Sequence, residues 1–363
     1  MTNKHPHRAR GTHANPDNRY HRQHTAPVDD DWPGDGQPRS DPRTRVQSER
    51  CRKLISYNQS PDIPFDRSIN PYRGCEHGCI YCYARPSHAW LDLSPGLDFE
   101  TRLFSKRNAP ETLLAELAKP GYHPAPIALG VNTDAYQPIE KTQRVTRRIL
   151  EILRAHRHPV SIISKSALIE RDLDVLAEMA EARLLGCAIS LTTLDKSLSQ
   201  RMEPRAAAPA RRLKTITRLR RAGIPVTVMV APVIPMLTDS ELETLLATAR
   251  DAGADSARYV LLRLPREVGG LFDDWLRRHY PDKATRVMNR IRDCHAGRAQ
   301  DSRFGQRMTG SGVFAQLIAK RFSLAHDRLG FAEPPALRGD LFIPPQPNAP
   351  LCQDTAQLSL PGF

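Results

Sequence analysis

The sequence predicts an α/β fold: a partial (β/α)6 TIM-like barrel with a helical C-terminal extension and disordered tails. Three observations predict it. Five short apolar runs alternate with amphipathic segments between residues 126 and 262. A further strand, near Ser68 to Asn70, precedes them and leads into a cysteine-rich loop. Both ends of the chain are rich in proline, and the N-terminal one nearly lacks aliphatics. Alternating strands and helices require a parallel sheet with right-handed crossovers. Six such units are an incomplete version of the eight-unit barrel.

In chain order, residues 1–49 nearly lack aliphatics and read as a disordered basic, His-rich tail, because they cannot bury enough surface to offset chain entropy. The barrel spans 50–265. Within it, 99–105 alternates as a strand, and 110–118 is a short helix with Pro110 near its start and Pro120 beyond its end. Residues 126–131 form the next strand. The helix over 142–156 sets Val145, Ile149, Ile152 and Leu153 on one face. Strand 160–163, helix 172–182, strand 186–191 and a basic helix 209–222 follow, the last ended by Gly223. Strand 226–230, a helix over 239–252 with Leu242, Leu245, Leu246 and Ala249 aligned, and strand 257–262 complete the alternation. Residues 266–331 carry helices at 275–280, 283–294 and 312–326, and the proline-rich 332–363 is a second disordered tail.

The net charge is +13 over 363 residues, which favours a polyanionic partner such as nucleic acid; a merely basic soluble protein is the alternative. Arg201, Arg205, Arg211, Arg212, Lys214, Arg218, Arg220 and Arg221 gather in and before one helix. Arg277, Arg278, Lys283, Arg286, Arg290 and Arg292 gather in the C-terminal helices, and Arg303, Arg307, Arg321 and Arg328 continue the pattern. Phosphate binding and a solvated exterior both account for them. There is no run of 18 apolar residues to span a membrane and no apolar segment of a secretory signal in residues 1–49. Seven cysteines, three of them in one motif, point to a reducing compartment and a cytoplasmic protein. Of the isolated ones, Cys187 sits in an apolar run and reads as a small core residue.

The motif is Cys75-Glu-His-Gly-Cys79-Ile-Tyr-Cys82. A [4Fe–4S] cluster is usually held by four thiolates. Here three fall together, and residues 83–86 add no fourth. One iron is then left open, and an open metal position is where chemistry happens, as three-ligand zinc sites also show. A zinc knuckle would want a second Cys or His pair, and none follows; His77 has no partner beyond the loop. A purely structural cluster is the other alternative.

The spacing C-x3-C-x2-C, with aromatic Tyr81 before the last cysteine, resembles the radical SAM superfamily. The resemblance implies a [4Fe–4S] cluster on Cys75, Cys79 and Cys82, with S-adenosyl-L-methionine on the open iron. It implies an electron donor such as flavodoxin or ferredoxin, and reductive cleavage of the cofactor to a 5′-deoxyadenosyl radical. It also implies the same partial barrel, whose working residues sit at the C-terminal ends of the strands.

Those ends carry Asn132-Thr133-Asp134 and Tyr136-Gln-Pro-Ile-Glu140, then Ser164-Lys165-Ser166, then Ser190, Thr192 and Thr193, with Arg201-Met-Glu203-Pro-Arg205 behind. The set resembles the photolyase-like branch of radical SAM proteins, related to spore photoproduct lyase, over residues 55–262. By this resemblance Tyr81 lines the adenine pocket. The Lys165 cation suits the methionine carboxylate, and the hydroxyls of Ser190 and Thr192 suit ribose. Glu203 and Asp134, beside Thr133, both suit the methionine ammonium or ribose. For each, a helix cap or salt bridge is the plainer alternative, and Ser166, Asp172 and Asp239 are as easily N-caps. Spore photoproduct lyases hold a hydrogen-donating cysteine near the end of the second strand, where this chain has Gly130-Val-Asn-Thr-Asp134. Cys294 is the nearest alternative thiol by helix placement, or a buried core residue.

These observations point to a radical SAM enzyme acting on DNA or another nucleic acid, in a repair-like, possible lyase role. The alternatives are a radical SAM enzyme with a protein or small-molecule substrate, and a non-catalytic iron–sulfur nucleic-acid-binding protein. No second cluster motif exists, which argues against methylthiolation. The last residues, Gln357 to Phe363, resemble the short peptides by which polymerases and repair proteins dock on the replication sliding clamp, with Leu358 or Leu360 and Phe363 as apolar anchors.

Overall fold

The computed structural model describes residues 9–20 and 43–346. The strands are β1 (Arg45–Glu49), β2 (Ser56–Tyr57), β3 (Arg67–Ile69), β4 (Tyr72–Arg73), β5 (Arg102–Lys106), β6 (Ile127–Leu129), β7 (Val160–Ser164), β8 (Leu185–Ser190), β9 (Val226–Val233) and β10 (Ser256–Leu261). The main sheet runs β10-β9-β8-β7-β6-β3-β2. From β3 to β10 every neighbour is parallel, and edge strand β2 is antiparallel. This is the six-unit parallel run that the alternation predicts. β10 and β2 are its two edges, so the sheet is an open, partial barrel. Register aligns Ile69, Leu129, Ile162, Cys187 and Val226 across five strands, all of them buried, so Cys187 is the core residue expected.

The helices are α1 (Asp98–Thr101), α2 (Ala109–Leu117), α3 (Glu140–Gln143), α4 (Val145–Ala155), α5 (Leu173–Glu181), α6 (Lys196–Met202), α7 (Pro209–Arg221), α8 (Leu242–Asp251), α9 (Glu267–His279), α10 (Pro281–Asp293) and α11 (Gly312–Arg328). Four of them, α4, α5, α7 and α8, are the crossovers between successive strands from β6 to β10. α4 buries Val145, Ile149, Leu150 and Leu153 on the inner stripe a crossover needs. α9 begins well before residue 275. Val268, Leu271, Phe272, Trp275 and Leu276 form a helical stripe that Gly269 and Gly270, both poor helix formers, conceal in the sequence.

A second sheet, β1-β5-β4, stands beside the first. Of the predicted strand over 99–105, the first residues form α1 and the rest belong to β5 in this second sheet. β1 pairs in parallel with β5, although its stretch reads as disordered tail. Its side chains are mostly exposed, so a backbone ladder carries it and no apolar alternation announces it.

Two further corrections concern the tails. Residues 9–20 are ordered as a strap over the cysteine loop: Leu97 N donates to Ala14 O (3.2 Å), Asn18 Nδ2 to Ala89 O (2.9 Å) and Ser94 Oγ to Pro16 O (2.5 Å). Residues 332–346 cross the opposite end of the sheet. There Ala332 N donates to Asp255 O, Arg338 N to Arg183 O and Ile343 N to His156 O, each at 2.9 Å. Those three acceptors stand just before β10, β8 and β7. The segment from Gln357 to Phe363 lies outside the described residues.

Candidate cofactor site at the strand ends

β3 and β4 lead into the cysteine loop through Gly74, whose φ of 73° favours glycine; a Cβ there would lie 2.6 Å from Leu103 Cδ2. The loop then winds in tight turns: Gly78 N donates to Cys75 O (3.3 Å), Cys82 N to Cys79 O (3.2 Å) and Arg85 N to Cys82 O (3.2 Å). Three free thiols are thereby carried on one loop, Cys75 and Cys79 buried and Cys82 half-buried. Burial pushes the Cys75 thiol well up. It pushes Cys79 up to about 12, and the charge of Glu203 adds to that. Such thiols do not ionise unaided, whereas bound iron stabilises the thiolate. Three free thiols on one loop, two of them buried, therefore fit the ligand set of a cluster. Among the described residues no three His, Cys, Asp or Glu side chains are gathered for a single metal ion; a cluster's separate irons each take their own thiolate.

The loop is clasped from several elements. Glu76 N donates to Gln137 Oε1 (2.9 Å), and Gln137 Nε2 to Gly74 O (3.1 Å). Arg205 Nη2 lies 3.1 Å from Glu76 Oε1, and Arg205 N donates to His77 O (3.3 Å). His77 Nδ1 stands 3.3 Å from Asp134 Oδ2, so His77 serves the loop's own fold.

Five of the residues predicted for cofactor binding converge beside the thiols. Tyr81 and Thr192 donate hydroxyls to Glu203 Oε1, Thr192 at 2.8 Å, and Arg212 Nη2 pairs with Glu203 Oε2. Lys165 Nζ donates to Ser190 Oγ (3.0 Å) and lies 5.9 Å from the Tyr81 ring centroid. Burial works to raise the Glu203 carboxyl, but Arg212 and Lys165, with the Tyr81 hydrogen bond, hold it at about 2. α6 delivers this carboxylate: Asp195 caps its first turn, accepting from Ser197 N and Leu198 N, and Glu203 is its C-cap.

Asp134 and Thr133 play a different part. Asp134 Oδ1 accepts from Ser164 Oγ (2.8 Å) and Tyr136 N (2.9 Å), and Oδ2 accepts from Lys165 N (2.7 Å) and faces His77. A carboxylate has about four acceptor positions, and these partners fill them. Thr133 Oγ1 donates to Tyr72 O (3.0 Å). Both residues lock strand ends to the loop. Cys294 is the C-cap residue of α10 and is fully buried in the apolar core, in keeping with the second of its two readings. The stretch from Gly130 to Asp134, after β6, brings no thiol to the site.

Sequence reasoning missed Arg85, Glu100 and the role of Arg212. Arg212 is 1% exposed, and its guanidinium also reaches Ala207 O (2.6 Å) and Ser190 O (3.0 Å), so it is no phosphate ligand. Its spacing was legible, since Arg212, Ile216 and Leu219 share the buried face of α7. Arg211 and Arg218 both pair with Glu170, which removes two more cations from the free surface of that helix.

Residues 69–249 match the family model described as the radical SAM superfamily. Over 241 residues, 65% of this chain and 70% of its counterpart, the sequence is 40% identical to an uncharacterized protein of Mycobacterium tuberculosis. The chain belongs to the radical SAM superfamily. A more distant relative, an uncharacterized protein of Methanocaldococcus jannaschii, is 27% identical over 66% of this chain and 86% of its own. Among solved structures this radical SAM protein resembles spore photoproduct lyase. A cysteine-to-serine mutant of that enzyme matches over 78% of both chains at TM-score 0.52 and 13% identity. A tyrosine-to-phenylalanine mutant matches over 78% of this chain and 77% of its own, at TM-score 0.51 and 13% identity. That likeness is one of fold, a partial barrel of the same kind. Superfamily membership implies an enzyme that uses an iron–sulfur cluster and S-adenosylmethionine.

Proposed function

We propose that the protein is a radical SAM enzyme that carries one [4Fe–4S] cluster on Cys75, Cys79 and Cys82 and acts on nucleic acid. The observation that carries the reading is the convergence of the three-thiol loop with Tyr81, Lys165, Ser190, Thr192 and Glu203 at the strand ends. A bound cluster supplies the electron that cleaves S-adenosylmethionine to a 5′-deoxyadenosyl radical. Lys165 spends one N–H on Ser190, and an ammonium has three, so it keeps donors for the methionine carboxylate. Glu203 accepts three protein hydrogen bonds and has room for one more. It therefore takes the role for which Asp134 is filled. Tyr81 presents its ring beside them, where adenine would lie.

Two features support a nucleic-acid substrate. One is the net charge of +13. The other is an aromatic–arginine rim: Arg263 stacks on Tyr83, next to Cys82, at 4.5 Å, and Arg307 stacks on exposed Phe304 at 5.2 Å. Aromatic and guanidinium planes of this kind take unstacked bases. The docking of residues 357–363 on a sliding clamp and an electron donor such as flavodoxin or ferredoxin complete the proposal. Its test is reduction of the anaerobically reconstituted enzyme with S-adenosylmethionine, with and without damaged or intact single-stranded DNA. Deoxyadenosine formation stimulated by DNA supports the reading. Formation that no nucleic acid changes favours another substrate.

A further inference from the structure

The outer wall of the cysteine loop is assembled from three distant stretches of chain. Arg85 is fully buried. Its Nε donates to Cys79 O (2.9 Å), its Nη2 to Gly78 O (3.1 Å) and to Glu100 Oε1 (2.6 Å), and its Nη1 to Gly96 O (2.9 Å) and Pro95 O (3.3 Å). The buried Glu100 carboxylate in turn accepts from Gly11 N (2.9 Å) and Thr12 N (3.1 Å) of the strap. Gly11 is seated so closely that a Cβ there would fall 1.6 Å from Gly78 O.

This wall has an electronic consequence for the loop. A trans peptide carries its C=O and N–H on opposite sides. Pulling the Gly78 and Cys79 carbonyls onto Arg85 sends the Cys79 and Ile80 N–H groups the other way. The Ile80 N–H goes to Met202 O (3.0 Å). We propose that Arg85, Glu100 and Gly11 are a positioning unit that turns the Cys79 N–H toward the sulfurs of the bound cluster and raises its reduction potential. Hydrogen bonds to cluster sulfurs set that potential, and a donated N–H favours the reduced form, while Glu100 balances the charge of Arg85. The inference rests on the cluster reading above.

The test uses the full chain, reconstituted anaerobically, and reads the one-electron midpoint by spectroscopic titration. Arg85→Lys keeps the charge and loses the fork. Gly11→Ala adds one methyl at the strap and changes no charge. Each is expected to make reduction less favourable about tenfold, a midpoint about 59 mV lower, with iron per chain unchanged. Loss of iron binding by a variant whose iron-free form melts like the parent also supports the unit. A lowered melting temperature with an unchanged midpoint makes the contacts structural alone and overturns the proposal. If Arg85→Lys does not fold, Gly11→Ala decides by the same criteria. A parent protein that takes up no iron brings down the cluster reading itself, whereas an iron-loaded parent with unmoved variants brings down this inference alone.

Discussion

Glu203 is a 2% exposed carboxylate whose partners are Arg212, Thr192 and Tyr81. Removing one member of a buried ion pair leaves the other uncompensated and costs about 3–5 kcal/mol. Glu203→Gln therefore destabilises the fold by about that amount near neutral pH, measured by denaturant unfolding of the iron-free chain. The pH dependence has a definite sign. The folded carboxyl is held at about 2, below its ordinary 4.5, so the unfolded chain binds the proton more tightly. Its contribution is complete above pH 4.5 and is lost as pH falls toward 2. The gap between parent and Glu203→Gln should narrow across that window, and a constant gap would contradict the assignment. Lys165→Ala should weaken S-adenosylmethionine binding by about 10- to 150-fold, the value of a charge-assisted hydrogen bond of about 1.5–3 kcal/mol. Equilibrium binding to the cluster-loaded enzyme measures it, and unchanged affinity would remove Lys165 from the site.

The segment 332–346 shows what an element contributes without regular structure. Phe342 packs edge-to-face on His158 (5.3 Å) and tilted on Tyr122 (5.6 Å), and His156 bonds both backbone groups of Ile343. Each aromatic pair is worth about 0.5–1.5 kcal/mol, so Phe342→Ala should destabilise by about 1–3 kcal/mol. A chemical melt tests this, and no loss would mean the segment merely rests on the barrel. Its prolines and turns hide such contacts from any pattern of period 2 or 3.6, and so does the irregular, polar stretch of the strap over 9–20. The core strands were legible for the opposite reason. Runs such as Ile127 to Leu129 are buried on both faces of a parallel sheet and read as continuous apolar text. In the site, Cys75, Cys79 and Cys82 were legible from spacing, and Lys165 and Ser190 from their place at strand ends. The split between Glu203 and Asp134 was not, because it depends on which donors surround each carboxylate in space. Arg85 and Glu100 carry no motif at all.

For the molecule as a whole, fewer of the 53 lysines and arginines are free to meet phosphates than the count suggests. Arg211, Arg218, Arg205, Arg220 and Arg321 are tied to carboxylates. Arg278, Lys283 and Arg286, on α9 and α10, are exposed. If they contact phosphates, converting all three to Glu should weaken DNA binding and flatten its log-log salt slope by about three, near one per contact; fluorescence anisotropy at several salt concentrations reads both. An unaltered slope would place the nucleic-acid surface elsewhere. The central claim concerns the loop from Cys75 to Cys82. Its most direct measurement is iron, sulfide and deoxyadenosine per chain after anaerobic reconstitution and reduction with S-adenosylmethionine, for the parent and for Cys79→Ala. One [4Fe–4S] cluster requires about four irons in the parent, with deoxyadenosine formed, and both lost in the variant. A parent that holds zinc and no iron, or a Cys79→Ala protein that still forms deoxyadenosine, would contradict it.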